Sequence, residues 1–451
     1  MAAHTPSPAR DRFLDQHREL SGALAGARLD WLQRLRASGR ERFAELGFPG
    51  RKVEAWKYTS LAALEKIAFR PASGEAAGAR DDSVPSLVGA RQPVHRLVFV
   101  NGRMREDLSA IGRLPEGAAV GGLARAITAG GAGIEESLGR AGAIDGMPLF
   151  ALNTAFIDDG YMLRLPADTV LDAPVEIVFV GRAGEAPVAY HPRNLIVAGP
   201  GSSATVIEYH VGAGAYFANG ATEILAGERA IVRHCKIQDE SRDAFHVSTT
   251  LARLEREAQL DSFAFAIGAR LSRNEIRVTL DAPGAECRLN GAYMMKGTQH
   301  VDNTTHIDHA SPETSSRELY KGVLDESARG VFQGTITVRP KAQKINGHQT
   351  SRTLLLSDKA EIDTKPELEI YADDVKCSHG STTGQLDEDA LFYLRARGIG
   401  RLQARRVLTR AFAGELVDRV RHEALRAHVD ALVNRRLDSV LAPTPAAGNG
   451  P

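Results

Sequence analysis

The residues best suited to bind a metal are a thiol and an imidazole two positions apart. Cys377 and His379 stand in residues 375–382, where a long strand-rich region gives way to a helical tail. Side chains two apart on an extended segment point to the same face. Both are soft or borderline ligands for transition metals. Gly380 and the hydroxyl residues after it favour a position near the surface, so this pair is the first candidate for metal chemistry.

Two donors do not complete a metal site. Zinc or an iron–sulfur cluster takes about four protein donors, and the chain contains no Cys-x-x-Cys. Metal chemistry at Cys377 and His379 would therefore need donors from another chain. The alternative is a surface thiol and imidazole without a function, and the residues alone leave both open.

Other potential ligands have structural explanations. His306, Asp308 and His309 are close in sequence, but a strand sends neighbouring side chains to opposite faces, and hydrogen bonding on a polar sheet face is their commoner fate. Cys235 and Cys287 lie within apolar runs, which predicts inert core thiols.

The segment of residues 346–349 is a weaker candidate of the same kind. His348 and Gln349 carry ligand or hydrogen-bonding atoms. Asn346-Gly347 before them is first of all a turn signal, which predicts a turn at this point.

Composition excludes several classes of protein. The 451 residues include 56 Lys and Arg against 56 Asp and Glu, which disfavours a nucleic-acid partner. Three widely spaced cysteines suit a reducing compartment rather than a disulfide framework. No apolar run approaches the roughly 20 residues that span a bilayer, and the first residues lack a signal-peptide hydrophobic region. We therefore expect a cytoplasmic protein without a membrane partner.

Short β-rich runs separated by turn residues dominate residues 150–385. When the small residue that opens a strand is aligned, Ala204, Ala230, Ala258 and Ala285 follow one another at intervals of 26, 28 and 27 residues. Such a period without intervening helices is typical of a solenoid of stacked strands. The sequence predicts a mainly β protein with a parallel β-helix core.

Helical segments flank this core. The apolar spacing divides the chain into an N-terminal helical region, a Gly/Ala-rich linker and entry to the core, the β-helix, a C-terminal helical domain and a disordered tail, at 1–69, 70–149, 150–385, 386–442 and 443–451. Residues 54–61 in the first region predict a buried aromatic corner that joins helix to sheet.

The C-terminal helices have clear boundaries and apolar faces. Asp387 can cap a helix that begins at Glu388, and Gly398 can end it. The apolar positions are Leu391 and Leu394 in this helix, Leu408, Phe412, Leu416 and Val420 in the next, and Leu425, Val429, Leu432, Val433 and Leu437 in the last. Such helices either cover the open end of the solenoid or dock a partner, and the pattern alone allows both.

A resemblance joins these features. Residues 346–398, with Lys-Cys-Ser-His-Gly at 376–380, Gly-Gln-Leu-Asp at 384–387 and Ala-Leu-Phe-Tyr-Leu at 390–394, resemble the SufB/SufD family of the SUF iron–sulfur cluster assembly machinery, and its SufD branch in particular. The aromatic corner at 54–61 is similar to an element near the start of these proteins.

The resemblance implies a right-handed parallel β-helix in a non-catalytic scaffold subunit. It implies pairing with SufB, and binding of the SufC ATPase through C-terminal residues such as Leu391, Leu394, Leu408, Phe412 and Leu416. ATP would enter only through SufC, and a flavin in the assembled complex and homodimers without SufB are left open.

The family also suggests roles for the candidate ligands. His379 matches a histidine implicated in nascent cluster assembly, where it faces a cysteine of SufB and would be a transient metal ligand. Cys377 matches the neighbouring cysteine, to which a smaller role is assigned.

Two alternatives remain. A β-helical carbohydrate-active enzyme would need clustered carboxylates, for which Asp302, Asp308 and Glu318 are the candidates. A purely structural subunit would be insensitive to substitution of His379. Copurification distinguishes the first alternative, because a SUF subunit brings its ATPase and paralogue.

Overall fold

The chain folds as a parallel β-helix with helices on both of its sides. The computed structural model describes residues 7–72, 95–131 and 133–441. From Arg193 to Gly384, successive strands alternate between two parallel sheets, so each coil contributes one strand to each sheet. The prediction of a mainly β, parallel β-helix core with flanking helices is confirmed.

The strands of the described residues are β1 (Arg70–Pro71), β2 (His95–Val100), β3 (Arg103–Met104), β4 (Ala119–Gly122), β5 (Tyr161–Leu165), β6 (Val175–Arg182), β7 (Val188–Tyr190), β8 (Arg193–Ala198), β9 (Ser203–Ala213), β10 (Tyr216–Ala226), β11 (Ile231–Asp239), β12 (Phe245–Leu254), β13 (Gln259–Ala266), β14 (Leu271–Leu280), β15 (Glu286–Met295), β16 (His300–His309), β17 (Ser315–Leu324), β18 (Arg329–Val338), β19 (Ile345–Leu355), β20 (Glu361–Ile370) and β21 (Val375–Gly384). The helices are α1 (Pro8–Leu20), α2 (Asp30–Leu46), α3 (Ala62–Glu65), α4 (Leu123–Thr128), α5 (Ile134–Ser137), α6 (Pro148–Ala155), α7 (Glu388–Ala396), α8 (Arg401–Val417) and α9 (Glu423–Leu441).

The two sheets run the length of the solenoid. Sheet A has the order β4-β5-β8-β10-β12-β14-β16-β18-β20, with β7 beside β10 and β1 beside β7. Sheet B has the order β3-β2-β6-β9-β11-β13-β15-β17-β19-β21. The pairing is parallel except at the first end, where β4 runs antiparallel to β5 and β3 to β2. The interior between the sheets is the main apolar core.

A left-handed backbone position marks most corners from sheet A to sheet B. Residues with φ between 56° and 77° occupy it in six successive coils: Gly201, Arg229, Glu257, Gly284, Glu313 and Lys344. Ala230, Ala258 and Ala285 follow three of these corners, so their alignment in sequence is confirmed. Ile231 is in register with Ser203, so Ala230 corresponds to Ser202. The alignment of Ala204 with Ala230 was therefore wrong by two positions. Side-chain size alone does not locate a corner that is defined by backbone dihedrals.

The N-terminal region is fastened to the outer face of sheet A. Trp56 is buried under the guanidinium of Arg273, which lies 4.1 Å from its ring centroid. The Thr59 hydroxyl donates to the carboxylate of Asp302, which also pairs with Arg273. The predicted aromatic corner is confirmed, and its charged partner comes from a distant strand.

Helices α8 and α9 lie along the outer face of sheet B. Their buried apolar residues pack on apolar side chains of β9 to β17 in one cluster that includes Leu416, Val417, Leu425, Val429, Ile207, Tyr209, Phe263 and Phe265. The idea that these helices cover the open end of the solenoid was wrong, because the apolar surface that requires burial lies on the side of the sheet.

Two predicted segments fall largely outside the described residues. These are residues 73–94 of the predicted linker and the tail at 443–451. Between residues 95 and 149 the structure has β2 to β4, α4, α5 and the start of α6. None of the helices described within 7–441 is long and apolar enough to cross a bilayer.

Candidate functional site

The last coil leaves two strand edges unpaired. Strand β20 pairs only with β18, and β21 pairs only with β19, among the strands that the structure describes. Each has ten residues, most of them exposed or half-buried. A free edge presents a row of backbone donors and acceptors to any strand that can be added. This end of the solenoid is therefore a surface on which a partner can extend both sheets.

Cys377 and His379 point toward the mouth of the β-helix interior at this end. Cys377 is in register with Gly347, and His379 with Gln349, both of which are buried on β19. Because alternate residues share a face, the thiol and imidazole stand on the same interior side, as predicted. Cys377 is half-buried, and His379 is exposed because no further coil covers it.

The Cys377 thiol is held in the apolar end of the core. It packs against the buried cluster that includes Ile336, Val338 and Ile345. Burial raises the pKa of this thiol, while a backbone hydrogen bond with Gly347 acts in the opposite direction. The thiolate that binds metal is therefore disfavoured at Cys377 unless a metal ion or cation stabilises it.

The predicted turn at Asn346-Gly347 was wrong, because both residues lie inside β19. A Cβ added at Gly347 would stand 3.3 Å from the Cys377 sulfur. Glycine is present at this position to let the thiol approach closely, a use that sequence alone does not distinguish from a turn.

Behind His379 lies a polar pair that the sequence did not indicate. The Gln349 side-chain amide donates to Glu318 Oε2 at 2.6 Å, and both residues are buried in the interior. Burial raises the pKa of the Glu318 carboxyl to about 7. Gly334 on the opposite sheet leaves room for Gln349, since a Cβ there would come within 2.0 Å of the amide nitrogen. The inner surface below the imidazole is thus hydrophilic.

His348 lies on the outer face of the same strands. Its Nδ1 is 2.7 Å from the Ser378 hydroxyl on β21. Alternation along the strand therefore separates His348 from the interior side on which His379 stands.

The residues at 306–309 are structural. His306 Nε2 lies 3.1 Å from Thr337 Oγ1, and the Asp308 carboxylate pairs with Arg339 at 2.7 Å. His309 is buried on the other side of the strand, where its ring nitrogens contact the hydroxyls of Thr314 and Ser316, at 2.7 and 2.9 Å. The predicted hydrogen bonding of these residues is confirmed by these contacts.

The other two cysteines are core thiols, as predicted. Cys287 lies in the interior between the sheets, and Cys235 lies beneath the C-terminal helices. Burial raises the pKa of Cys235 to about 12 and that of Cys287 well above its ordinary value. Among the described residues there is no group of three or more His, Cys, Asp or Glu arranged to hold a metal ion.

The three candidate carboxylates of a carbohydrate-active enzyme do not meet. Asp302 and Asp308 are six residues apart on one strand, which corresponds to about 20 Å. Glu318 faces the interior from the other sheet. Glycoside hydrolysis by a carboxylate pair uses separations of about 5–9.5 Å, so these residues do not form such a site.

Helix α7 and the start of α8 carry the exposed apolar surface near the open end. Asp387 caps α7 as predicted, its carboxylate accepting from the backbone N–H groups of residues 389 and 390. The large exposed apolar side chains here are Phe392, Tyr393, Leu402 and Val407, which are 72%, 57%, 54% and 40% exposed. The sequence pattern did not select them, because they interrupt the apolar stripe.

The apolar residues predicted to bind a partner have different environments. Leu391 and Leu416 are buried, and Leu416 belongs to the cluster on sheet B. Leu394, Leu408 and Phe412 are half-buried. The Phe412 ring also packs against the Lys321 ammonium, whose nitrogen lies 4.4 Å from the ring centroid. Leu416 therefore stabilises the fold and is not on the surface.

Fold and site together define a β-helix protein whose last coil presents an exposed imidazole between two free strand edges. Two family models match the chain: the SufBD protein N-terminal region over residues 8–177, and the SufBD core domain of SUF system FeS cluster assembly over residues 179–412.

Curated relatives agree with these matches. An iron–sulfur cluster assembly SufBD family protein of Synechocystis is 32% identical, over 89% of this chain and 90% of its own length. The iron–sulfur cluster assembly protein SufD of Escherichia coli is 31% identical, over 88% of this chain and 91% of its own. A chloroplastic protein of Arabidopsis thaliana, ABCI7, is 29% identical, over 88% of this chain and 84% of its own. The chain belongs to the SufB/SufD family of iron–sulfur cluster assembly proteins.

Proposed function

We propose that this protein is a non-catalytic scaffold subunit that pairs with SufB and helps to hold a nascent iron–sulfur cluster at their shared interface. The open end of the β-helix carries the proposal, because it combines two free strand edges with the exposed His379. An added strand would satisfy the backbone groups of β20 and β21. The outer faces of the sheets, in contrast, are partly occupied by the chain's own helices.

His379 supplies one ligand of a site whose remaining donors come from SufB. The cluster is cargo, so an assembly site must bind iron and sulfide and then release the product. Donors divided between two chains suit this task, because separation of the chains dismantles the site. Cys377, half-buried with its pKa raised by burial, has the smaller role.

SufC docks on the C-terminal helices in this proposal. The exposed apolar residues of α7 and α8, Phe392 and Leu402 above all, support a contact surface there. ATP acts only through SufC, whose nucleotide-driven movement would shift these helices relative to SufB. That would be a two-state coupling between the nucleotide and cluster sites.

The test is co-expression of the chain with SufB and SufC, followed by measurement of iron and sulfide on the purified complex. His379→Ala should leave the complex intact and remove most of the cluster, and His379→Cys should restore part of it. His348→Ala is the matched control, since that imidazole lies on the outer face. Undiminished cluster on the His379→Ala complex would make the chain a purely structural subunit.

We further propose a cytoplasmic location, which the three free thiols suit. In the absence of SufB, two copies should pair through the same strand edges. Light scattering on the purified chain tests the second point, and a monomer at every concentration would contradict it.

A further inference from the structure

A charged cleft lies between the outer face of sheet B and the corner that joins α8 to α9. Its volume is about 540 Å³, within the range of small-molecule sites. Strands β13, β15, β17 and β19 of sheet B form its floor, and residues 415–421 form its wall. Five arginines line it: Arg288, Arg317, Arg352, Arg419 and Arg421.

The carboxylates of this cleft are already engaged with part of this positive charge. Asp261 pairs with Arg421 at 3.2 Å. Glu415 is shared by Arg352 at 3.6 Å, Arg419 at 3.7 Å and the Lys321 ammonium. Two further acidic residues, Glu318 and Asp418, also line the cleft. Among the arginines of the floor, Arg352 pairs with Glu415, and Arg288 is in register with Asp261 on the adjacent strand.

Two arginines on the floor are direct neighbours. Arg288 is in register with Arg317, and Arg317 with His348. Like charges directly opposite one another across strands are destabilising. Arg288 has Glu286 at 3.1 Å, whereas Arg317 has no ion pair or hydrogen bond with any residue that the structure describes. The floor therefore holds positive charge for which an anion in the cleft would compensate.

We propose that this cleft binds a small phosphate-bearing molecule, with Arg317 and Arg288 on its phosphate oxygens. Guanidinium groups bind phosphate through paired N–H donors. Adjacent strands place the two arginines about 4.8 Å apart in the backbone, so their long side chains can both reach one anion in the cleft. The cleft volume leaves room for an attached organic group. This site is distinct from His379 and does not depend on the proposed scaffold role.

The test measures binding of pyrophosphate and ADP to the full chain by titration calorimetry, at constant ionic strength. Both should bind saturably and raise the midpoint of thermal unfolding. Arg317→Gln should weaken binding at least about tenfold, a loss of about 1.4 kcal/mol. Arg317→Lys keeps the charge and loses the paired donors, so its affinity should lie between those of the natural protein and Arg317→Gln. Arg34→Gln, at an exposed position of α2, makes the same change of charge elsewhere and should have no effect.

Three results would overturn the proposal. The first is the absence of saturable binding of either probe at millimolar concentration. The second is an equal loss in Arg34→Gln, which would indicate attraction by overall charge. The third is tighter binding of a polyglutamate peptide than of pyrophosphate, which would assign the cleft to an acidic protein segment. Circular dichroism of each variant establishes that the fold is retained.

Discussion

Both ends of the β-helix consist of the same kind of two-stranded coil, but their edge strands differ. At the first end, the edges are the short antiparallel strands β3, with two residues, and β4, with four. The buried Asp159 carboxylate joins β3 to helix α4, accepting from the backbone N–H of Met104 at 2.9 Å and of Ala124 at 3.1 Å. At the last end, β20 and β21 present ten residues each. Short edges discourage further pairing and long ones invite it.

This contrast separates residues that serve folding from residues available for assembly. Trp56 and Leu416 are buried against the chain's own sheets. His379 and Phe392 are exposed at or near the open end. Substitutions of the first kind should lower the free energy of unfolding, and those of the second kind should impair the complex. Four predictions test this division, ordered by their expected effect on stability.

The largest loss is expected for Leu416→Asp. It would bury an unpaired charge in the cluster between α8 and sheet B, and the free energy of unfolding should fall by more than about 4 kcal/mol. Phe392→Asp, at a position that is 72% exposed, should change it by under about 0.5 kcal/mol yet weaken SufC binding. Urea denaturation and copurification measure the two effects. Equal losses of stability would contradict the division.

Trp56→Ala should cost about 3–5 kcal/mol, because it removes a large buried side chain and the contact with Arg273. Tyr371→Ala is the comparison at the open end, where the ring is 62% exposed, and it should cost under about 0.5 kcal/mol. Denaturant unfolding of both variants measures the difference. A loss of stability at Tyr371 as large as that at Trp56 would mean that the last coil is covered by residues of this chain and is not open to a partner.

Glu318→Gln should change how stability depends on pH. The folded pKa of about 7 exceeds the ordinary value of 4.5, so the carboxyl favours folding at low pH, and this contribution is lost as pH rises through about 7. The glutamine variant does not titrate, and relative to the natural protein it should gain about 1–3 kcal/mol between pH 5 and pH 8. Thermal or urea unfolding across this range measures the gain.

Glu19→Gln, at an exposed position of α1, is the control for this titration. Its stability should follow the natural protein across the same range. If the stability of Glu318→Gln also followed that of the natural protein across this range, the Glu318 carboxyl would not be the cause of the pH dependence.

The smallest effects on stability are expected at the candidate ligands. His379→Ala should change the free energy of unfolding by under about 0.5 kcal/mol, and Cys377→Ala, which removes a half-buried thiol, by about 1 kcal/mol. The order should reverse for cluster content on the co-expressed complex, with the greater loss in His379→Ala. Iron and sulfide determination beside a denaturation curve tests both orders. A greater cluster loss in Cys377→Ala would exchange the roles of the two residues.

Local chemistry made part of the candidate site predictable. The alternation of a strand was enough to put Cys377 and His379 on one face, and a carboxylate before an apolar helix was enough to identify Asp387 as a cap. Gln349 and Glu318 were considered only separately and for other roles, because their pairing with each other and their proximity to His379 depend on cross-strand register. The exposed Phe392 was not predicted as a surface residue, because apolar periodicity identifies only the buried face of a helix and not the apolar residues outside it.

The sequence by itself determined the repeating coil, the helices near both termini of the chain, and the absence of an obvious self-sufficient metal motif. These features follow from periodicity, capping and residue type over short spans. Only the tertiary structure decided that Trp56 meets Arg273, that α8 and α9 cover the side of sheet B, and that the last coil stays open. Each of those outcomes depends on which distant surfaces become neighbours, and in a stacked solenoid that is fixed by the register between coils.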